Sequence, residues 1–513
     1  MVQKRESPHK MNPIKKQFSL NRAVARQQFS VISLGVLLAL LHGLAYGQSA
    51  SRADKGPEAG AKLTEAPIKW VAPSSFDPDL PGMGLPQLPG CKSQVIYDPL
   101  MCRSAVDEGG DGRYESVLHG TFNHHQGFVL YQDKIIAWWS NHARDENGPG
   151  QRVIGRWGTW VGDSASADAR INWGYVPSFV EFMPPPVPVR RRWWHVDPYV
   201  IQPYIDGSLS VRNGKLYSIG QVTCIGGWTT EELLRRPTGP LPPEKWNDRL
   251  DLSRGFRYDL WYDVGPQFAQ RWTFRDGQLV PDSPMYRMTP DVSRIEVTPG
   301  RWKPVAPLIP PYVNMIPIEN APEDIRLDIL GAPKPAGTPP PAPRPAHAPG
   351  TSSHAADGKH GLAHSTEFER PDGKLVSVRD NLQNPGHYYA AVRNSREDYY
   401  PPAIETDLVG GAAPVSGRLP DGRVWLLCNS PSNYLVAHEN SRKDMFITVS
   451  RDGITFDKTW LVFHSDRKSD GGIYKFGGPQ YFVTRIIGEN MWIVYSITKE
   501  QIGITKLPLS SLH

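Results

Sequence analysis

The feature that most constrains this chain is a short hairpin that recurs along it. YQDKIIAWW, VRNGKLYSIG (211–220), FRDGQLVP (274–281), ERPDGKLVSV (369–378), RLPDGRVWLLCN (418–429) and IIGENMWIVYS (486–496) each set a polar turn between short β-branched and aromatic runs. Asn-Gly and Asp-Gly adopt positive φ readily, which matches the twist of paired strands. The turns fall at 133, 213, 276, 372, 421 and 489, with a proline-rich stretch inside the widest gap. Antiparallel units of about 45–50 residues with added loops imply an all-β fold, a single β-propeller. Seven blades are the first expectation and six the second. A sandwich or a parallel solenoid fits less well, because each unit carries its own antiparallel hairpin.

Composition agrees. The chain has 513 residues with 50 prolines and 47 glycines, and few segments hold a long 3.6-residue period. A formal charge of +5 is small for this length and gives no nucleic-acid signature.

Residues 1–47 read as an export signal. Lys4, Arg5, Lys10, Lys15, Lys16, Arg22 and Arg26 form a basic n-region, Phe29–Leu44 is apolar, and Ala45-Tyr46-Gly47 offers a small-residue cleavage site. The expected location is secreted or periplasmic, with no stable membrane span after processing. An uncleaved anchor is the second reading, weakened by His42 inside the apolar run. The length of the n-region also allows a start at Met11. Residues 48–67 read as a linker, 68–513 as the propeller, and 335–361 as a disordered, proline-rich insertion. Export permits disulfides. Cys91 and Cys102 are close enough in sequence to form one, whereas Cys224 and Cys428 fall in strands as buried thiols.

Candidate chemistry concentrates near the first hairpin, in HGTFNHHQGFVLYQDKIIAWWSNHARDENGPGQR (119–152). A turn centred on Asp133 and Lys134 sets His125 opposite His142 and His124 opposite Ala143. A bulge would move this register by one. The same rule pairs Gln202 with Ile225, Ser365 with Asp380, Ser416 with Leu427, and Tyr481 with Thr498. In a propeller blade the first strand starts, and the second ends, at one face of the disc. These polar residues would therefore ring one mouth of the hub, with Gln126, Gln480 and Lys499 beside them. Each alone is equally compatible with a solvated strand end. His119, His125 and His142 with Asp145 and Glu146 leave a structural or active-site metal ion possible, although their spacing matches no zinc motif. No other cofactor is expected.

SRDGITF (Ser450–Phe456) resembles the Asp-box of sialidase-type propellers, one residue shorter than the usual spacing, and SREDYY (Ser395–Tyr400) reads as a decayed copy. With the front motif and GGPQYFVTRIIGENMWIVYSITKEQIGITKLPLSSL at the end, the chain resembles secreted bacterial sialidase-like propeller proteins. Within them it is most similar to seven-bladed polysaccharide lyases acting on ulvan, and to relatives that cleave rhamnosyl–glucuronate linkages. The likeness covers about residues 115–175 and 364–513. It implies a histidine pair and a tyrosine around the scissile bond of an acidic poly- or oligosaccharide. The arginine triad of true sialidases is not assembled from this sequence, so a sialidase-like exo-glycosidase ranks second, and a non-catalytic glycan- or protein-binding propeller third.

The chemistry such a ring supports is β-elimination at a uronate, in which a base with a pKa near working pH removes the C5 proton. Cations neutralise the carboxylate so that the enolate forms. The expected base is His125, or His124 if the register slips, with His142 as its partner. Tyr175 and Tyr481 compete for the acid role. Arg191 within Arg190–Arg192, Arg393 and Lys499 are candidate carboxylate contacts, and Gln126, Gln202 and Gln480 candidate sugar contacts.

Overall fold

The chain divides into Met1–Leu63 and Thr64–His513. The computed structural model describes residues 67–99, 120–142, 151–174, 179–183, 189–193, 196–228, 257–262, 267–288, 293–298, 301–305, 315–331, 362, 364–381, 386–431, 442–468, 475 and 477–513. The expected signal, the linker up to residue 66 and the insertion at 335–361 lie outside the described residues. Among those residues, no helix is long and apolar enough to cross a membrane.

Strands dominate. β1 (Lys69–Trp70) and β2 (Lys92–Tyr97) come first and are borrowed by the last two sheets. Blade I holds β3 (Phe122–Tyr131), β4 (Lys134–His142) and β5 (Arg152–Val161), with β6 (Arg170–Asn172) and β7 (Val180–Met183) both on β5. Blade II holds β8 (Val189–Trp193), β9 (Val196–Arg212), β10 (Lys215–Trp228), β11 (Arg257–Tyr262), β12 (Gln267–Arg275), β13 (Gln278–Pro281) and β14 (Tyr286–Arg287). A separate ribbon, β15 (Ser293–Thr298) with β16 (Arg301–Val305), follows. β17 (Ile316–Pro317) then returns to blade II, and helix α1 (Glu323–Leu330) comes next. Blade III is β18 (Ser365–Glu369), β19 (Leu375–Arg379), β20 (His387–Arg393) and β21 (Ile404–Val409). Blade IV is β22 (Val415–Arg418), β23 (Val424–Asn429), β24 (Asp444–Ser450) and β25 (Thr455–His464), with β1 parallel outside it. Blade V is β26 (Pro479–Ile487), β27 (Asn490–Ile497) and β28 (Gln501–Pro508), completed by β2.

This is propeller architecture. First strands of successive sheets touch one another, β18 with β22, β22 with β26 and β26 with β3, and β3 touches β9 of blade II. Blade V joins an early strand to the last three, a closure that leaves one fewer open edge. Five such sheets and the β15–β16 ribbon stand among the described residues.

The cores lie between blades. One cluster joins Val376 and Val378 of blade III to Leu426 and Phe446 of blade IV. A second joins Trp425 and Ile447 of blade IV to Ile493 and Tyr495 of blade V, and a third runs from Val494 through Ile136 and Trp139 to Trp272. Middle strands are thus buried on both faces, which is why IIAWW, VWLLC and MWIVY read as unbroken apolar runs. Each fully buried large side chain contributes about 1.5–3 kcal/mol.

All six sequence turns are present. The Asp-box forms as its pattern implies. Asp452 Oδ1 accepts from the N–H groups of Ile454 and Thr455 at 2.7 Å each, Gly453 has φ 70°, and Phe456 packs edge-on to Phe368 of blade III. Ser395–Tyr400 is a different turn, with Asp398 accepting from the upstream Ser395 N–H at 3.0 Å. Cys428 is a buried free thiol, as its strand position implies. Cys91 is also free; Cys102 lies outside the described residues.

Candidate active site

Two bulged hairpins build the centre of the site. In β3–β4 the pairing runs from Tyr131↔Lys134 to Gly127↔Trp138 and resumes at His124↔Ser140, so His125 and Gln126 together face Trp139. β26–β27 repeats the device, with Val483↔Val494 followed by Gln480↔Ser496, so Tyr481 and Phe482 face Tyr495. The first bulge residue is left-handed in both, φ 51° at His125 and 54° at Tyr481. Such a conformation costs a non-glycine residue about 1–2 kcal/mol. It aims both side chains away from the alternation of their strands.

These bulges correct the expected register. The first turn is Gln132–Asp133, one position earlier than Asp133–Lys134, and the bulge adds a further shift. His142 therefore faces Phe122, not His125, and His124 faces Ser140, not Ala143. Tyr481 sits in a bulge and not opposite Thr498. Ser365 faces Arg379 and Ser416 faces Leu426, because each Pro-Asp-Gly turn centres on its aspartate. The Asn-Gly hairpin behaves as expected, with Gln202 opposite Ile225.

Strand starts and ends from four blades meet here. His124 is fully buried, its ring 4.4 Å from His125 and 4.2 Å from Tyr481, edge-on to the latter. Its Nδ1 lies 3.3 Å from Ser496 Oγ, and its Nε2 has no partner among the described residues. Burial above all, then the charges of Lys499, His125, Arg442 and His364, hold its pKa well below the usual imidazole value. His124 is therefore neutral near pH 7. The Lys499 ammonium stands 5.7 Å from the Tyr481 ring and 5.9 Å from Phe122. Gln126 Nε2 donates to Gln480 O at 3.0 Å and to Tyr481 O, which pins one bulge on the other. Arg442 donates to Gln480 Oε1 at 3.0 Å.

Blade III supplies a chain of polar groups. Asp380 Oδ2 is 2.9 Å from His364 Nδ1, and His364 Nε2 is 3.3 Å from Tyr481 Oη. The ionised carboxylate can only accept, so it places the His364 proton on Nδ1 and leaves Nε2 to accept from the tyrosine. The Asp380 carboxyl is buried whereas the His364 side chain is 36 % exposed. Solvent reaches His125, Tyr481 and His364, with His124 beneath them.

Of the sequence candidates, His124, His125, Gln126, Gln480, Tyr481 and Lys499 converge. His142 is buried two pairs further along the same hairpin. Arg393 is elsewhere, at the opposite end of blade III, paired with Glu367 at 2.9 Å and stacked over Tyr400. Tyr175 lies outside the described residues, as do the side chains of Arg191 and Gln202. His364, Ser496 and Arg442 were missed. His364 had a signal: centring ERPDGKL on Asp372 sets it opposite Asp380, where Asp380 N–H donates to His364 O at 3.2 Å. Among the described residues no three His, Cys, Asp or Glu side chains are grouped to hold a metal, and His119, Asp145 and Glu146 lie outside them.

No family model and no curated protein matches the chain. Solved structures similar to it include a sialidase, at 15 % identity and TM-score 0.48, covering 86 % of this chain and 35 % of the other. A Dyadobacter fermentans protein of unknown function gives 11 % and 0.34, covering 82 % of this chain and 99 % of the other. The Ruminococcus gnavus intramolecular trans-sialidase gives 10 % and 0.33, covering 77 % and 96 %. The chain thus spans about a third of the length of the first.

Proposed function

We propose that this protein cleaves an acidic glycan at a uronate by β-elimination, with Tyr481 as the proton-transfer group. The observation that carries this reading is the Asp380–His364–Tyr481 chain, with contacts of 2.9 and 3.3 Å, beside two further imidazoles and a lysine. Tyr481 passes its proton to His364 Nε2, and Asp380 balances the charge that appears on the ring. The phenolate then takes the C5 proton, and the electron pair enters the carboxylate as an enolate. As the C4–O4 bond breaks, the leaving oxygen takes a proton from Tyr481, and His364 returns one to the phenol. Lys499 favours both anions electrostatically, and His125, at the opening, is placed to meet the uronate. Export belongs to the same proposal, resting on the basic and apolar start of the chain.

The test is incubation with a panel of acidic polysaccharides, following the ultraviolet absorbance of the unsaturated uronate. A rise that disappears in Tyr481→Phe supports elimination. New reducing ends without absorbance would replace it by hydrolysis, the second reading, in which the same phenolate attacks the anomeric carbon as in tyrosine-nucleophile glycosidases. Binding without turnover would leave a glycan-binding propeller.

A further inference from the structure

A second cleft lies away from the hub. A cleft of about 390 Å³ opens on the outer strands of blade I, where Gln278 of blade II reaches it. That volume falls in the usual range for ligand pockets. Its walls are Trp157, Trp173 and Phe179, and its polar groups include Thr159, Asn172 and Gln278. Trp157 and Phe179 are half-buried, and Asn172 and Gln278 are exposed at the mouth. The Trp173 indole N–H is buried with no acceptor among the described residues.

We infer that this cleft binds a neutral pyranose unit of a glycan chain. Aromatic faces with flanking amides and a hydroxyl suit a ring that is apolar on its faces and polar at its edge. Among the described residues the lining has no carboxylate. Its one cation, Arg156, is buried and spends its guanidinium on the backbone carbonyls of Trp173, at 2.5 Å, and Ile96. Lys134, whose ammonium stands 5.8 Å from the Trp157 ring, is paired with Asp133 at 3.2 Å, so the cleft favours a neutral sugar and the hub, with Lys499, an acidic one. This site does not depend on the reaction assigned to Tyr481.

The experiment is calorimetric titration of the full chain with neutral saccharides, namely methyl α-L-rhamnoside, cellotriose, xylotriose and maltotriose. At least one binds saturably, Trp157→Ala weakens it about tenfold, and Tyr481→Phe leaves it unchanged. Trp157 also packs edge-on to Phe274 at 5.3 Å, so its variant is checked by melting. The exposed double variant Asn172→Ala/Gln278→Ala, which should lose several-fold in affinity, decides the matter if that melt collapses. Saturable binding by none of the four, binding unaffected by the double variant, or loss in Tyr481→Phe would each overturn the proposal, the last placing the sugar at the hub.

Discussion

His125 and Tyr481 occupy the same position in two copies of one bulged hairpin. Each opens its bulge with a left-handed backbone, at φ 51° and 54°, and each lies equally far ahead of a turn that begins with positive φ, at Gln132 and Gly488. Adjacent blades thus present an imidazole and a phenol from one backbone device, with ring centroids 6.5 Å apart. The strand alternation is broken just where chemistry would need side chains on the same side.

The polar chain should act as a unit. Tyr481→Phe should lower kcat about 10²–10⁴-fold, and His364→Ala nearly as much, with little added loss in the double variant. Asp380→Asn should retain substrate binding while shifting the pH profile, because the amide no longer fixes the His364 tautomer. Steady-state kinetics on a cleaved glycan check this. Additive losses would show independent roles.

The left-handed bulge makes a stability prediction at the other residue. His125→Gly removes about 1–2 kcal/mol of backbone strain and should melt at or above the parent, while turnover falls. His125→Val, which cannot adopt that φ cheaply, should melt several degrees lower. A glycine variant that melts well below the parent would show that the imidazole's contacts outweigh the strain.

Much of this was legible in the residues. The Asn-Gly hairpin at Asn213 fixed its own register, since a two-residue turn leaves one centre. Ser450–Phe456 announced the Asp-box because capping needs only local groups. The site was half legible. His124, His125, Tyr481 and Lys499 were found, but their partnership was not, because a bulge carries no composition signal when its left-handed residue is histidine or tyrosine instead of glycine. Arg393 misled for a different reason. It stands on the third strand of blade III, which runs away from the hub, and a residue's place along a strand says nothing of its strand's rank.

Acid should destabilise the fold through His124. Its folded pKa lies well below the unfolded value of about 6.5. Between the two, the unfolded chain binds a proton that the native state refuses, so stability falls as pH drops below about 6.5. His464 has the opposite sign. Burial opposes its charge, but hydrogen bonds to Asp444 and Asp466 outweigh that and raise its pKa. Its contribution is present in acid and fades as pH rises through the folded value. Urea melts against pH should show a shallower acid limb in His124→Gln and a flatter neutral-to-alkaline one in His464→Gln. Unchanged limbs would refute both assignments.

The Asp-box should matter to stability and not to turnover. Asp452 Oδ1 also accepts from Ser450 Oγ at 2.9 Å, and these bonds hold its carboxyl below its ordinary pKa against the effect of burial. Asp452→Ala should cost about 1–2 kcal/mol, the scale of a lost cap. The turn lies at the end of blade IV away from the His124 cluster, so kcat should stay within a factor of about two on a folded sample. A large kcat loss would link the two faces.

The seam between blades I and V should couple stability to the site. Asn123 is fully buried and donates to Gly120 O at 3.1 Å and Glu500 O at 2.5 Å, while accepting from Asn141 Nδ2 at 2.8 Å. Its N–H donates to Lys499 O at 2.7 Å. Those bonds hold the turn in which Thr498 and Lys499 are both left-handed, at φ 57° and 56°, a conformation such residues abandon when released. Asn123→Ala takes the side-chain donor from Glu500 O, while Asn141 Nδ2 still donates to Gly120 O at 3.0 Å, and should cost about 1–3 kcal/mol. Below the melt it should also lower kcat more than it raises KM, because Lys499 shifts relative to Tyr481. Asn123→Asp keeps an acceptor for Asn141 but cannot donate to the two carbonyls, so it should not rescue either loss. Denaturant melts with parallel kinetics decide it: full activity in a destabilised Asn123→Ala would show that the Lys499 turn holds without this seam.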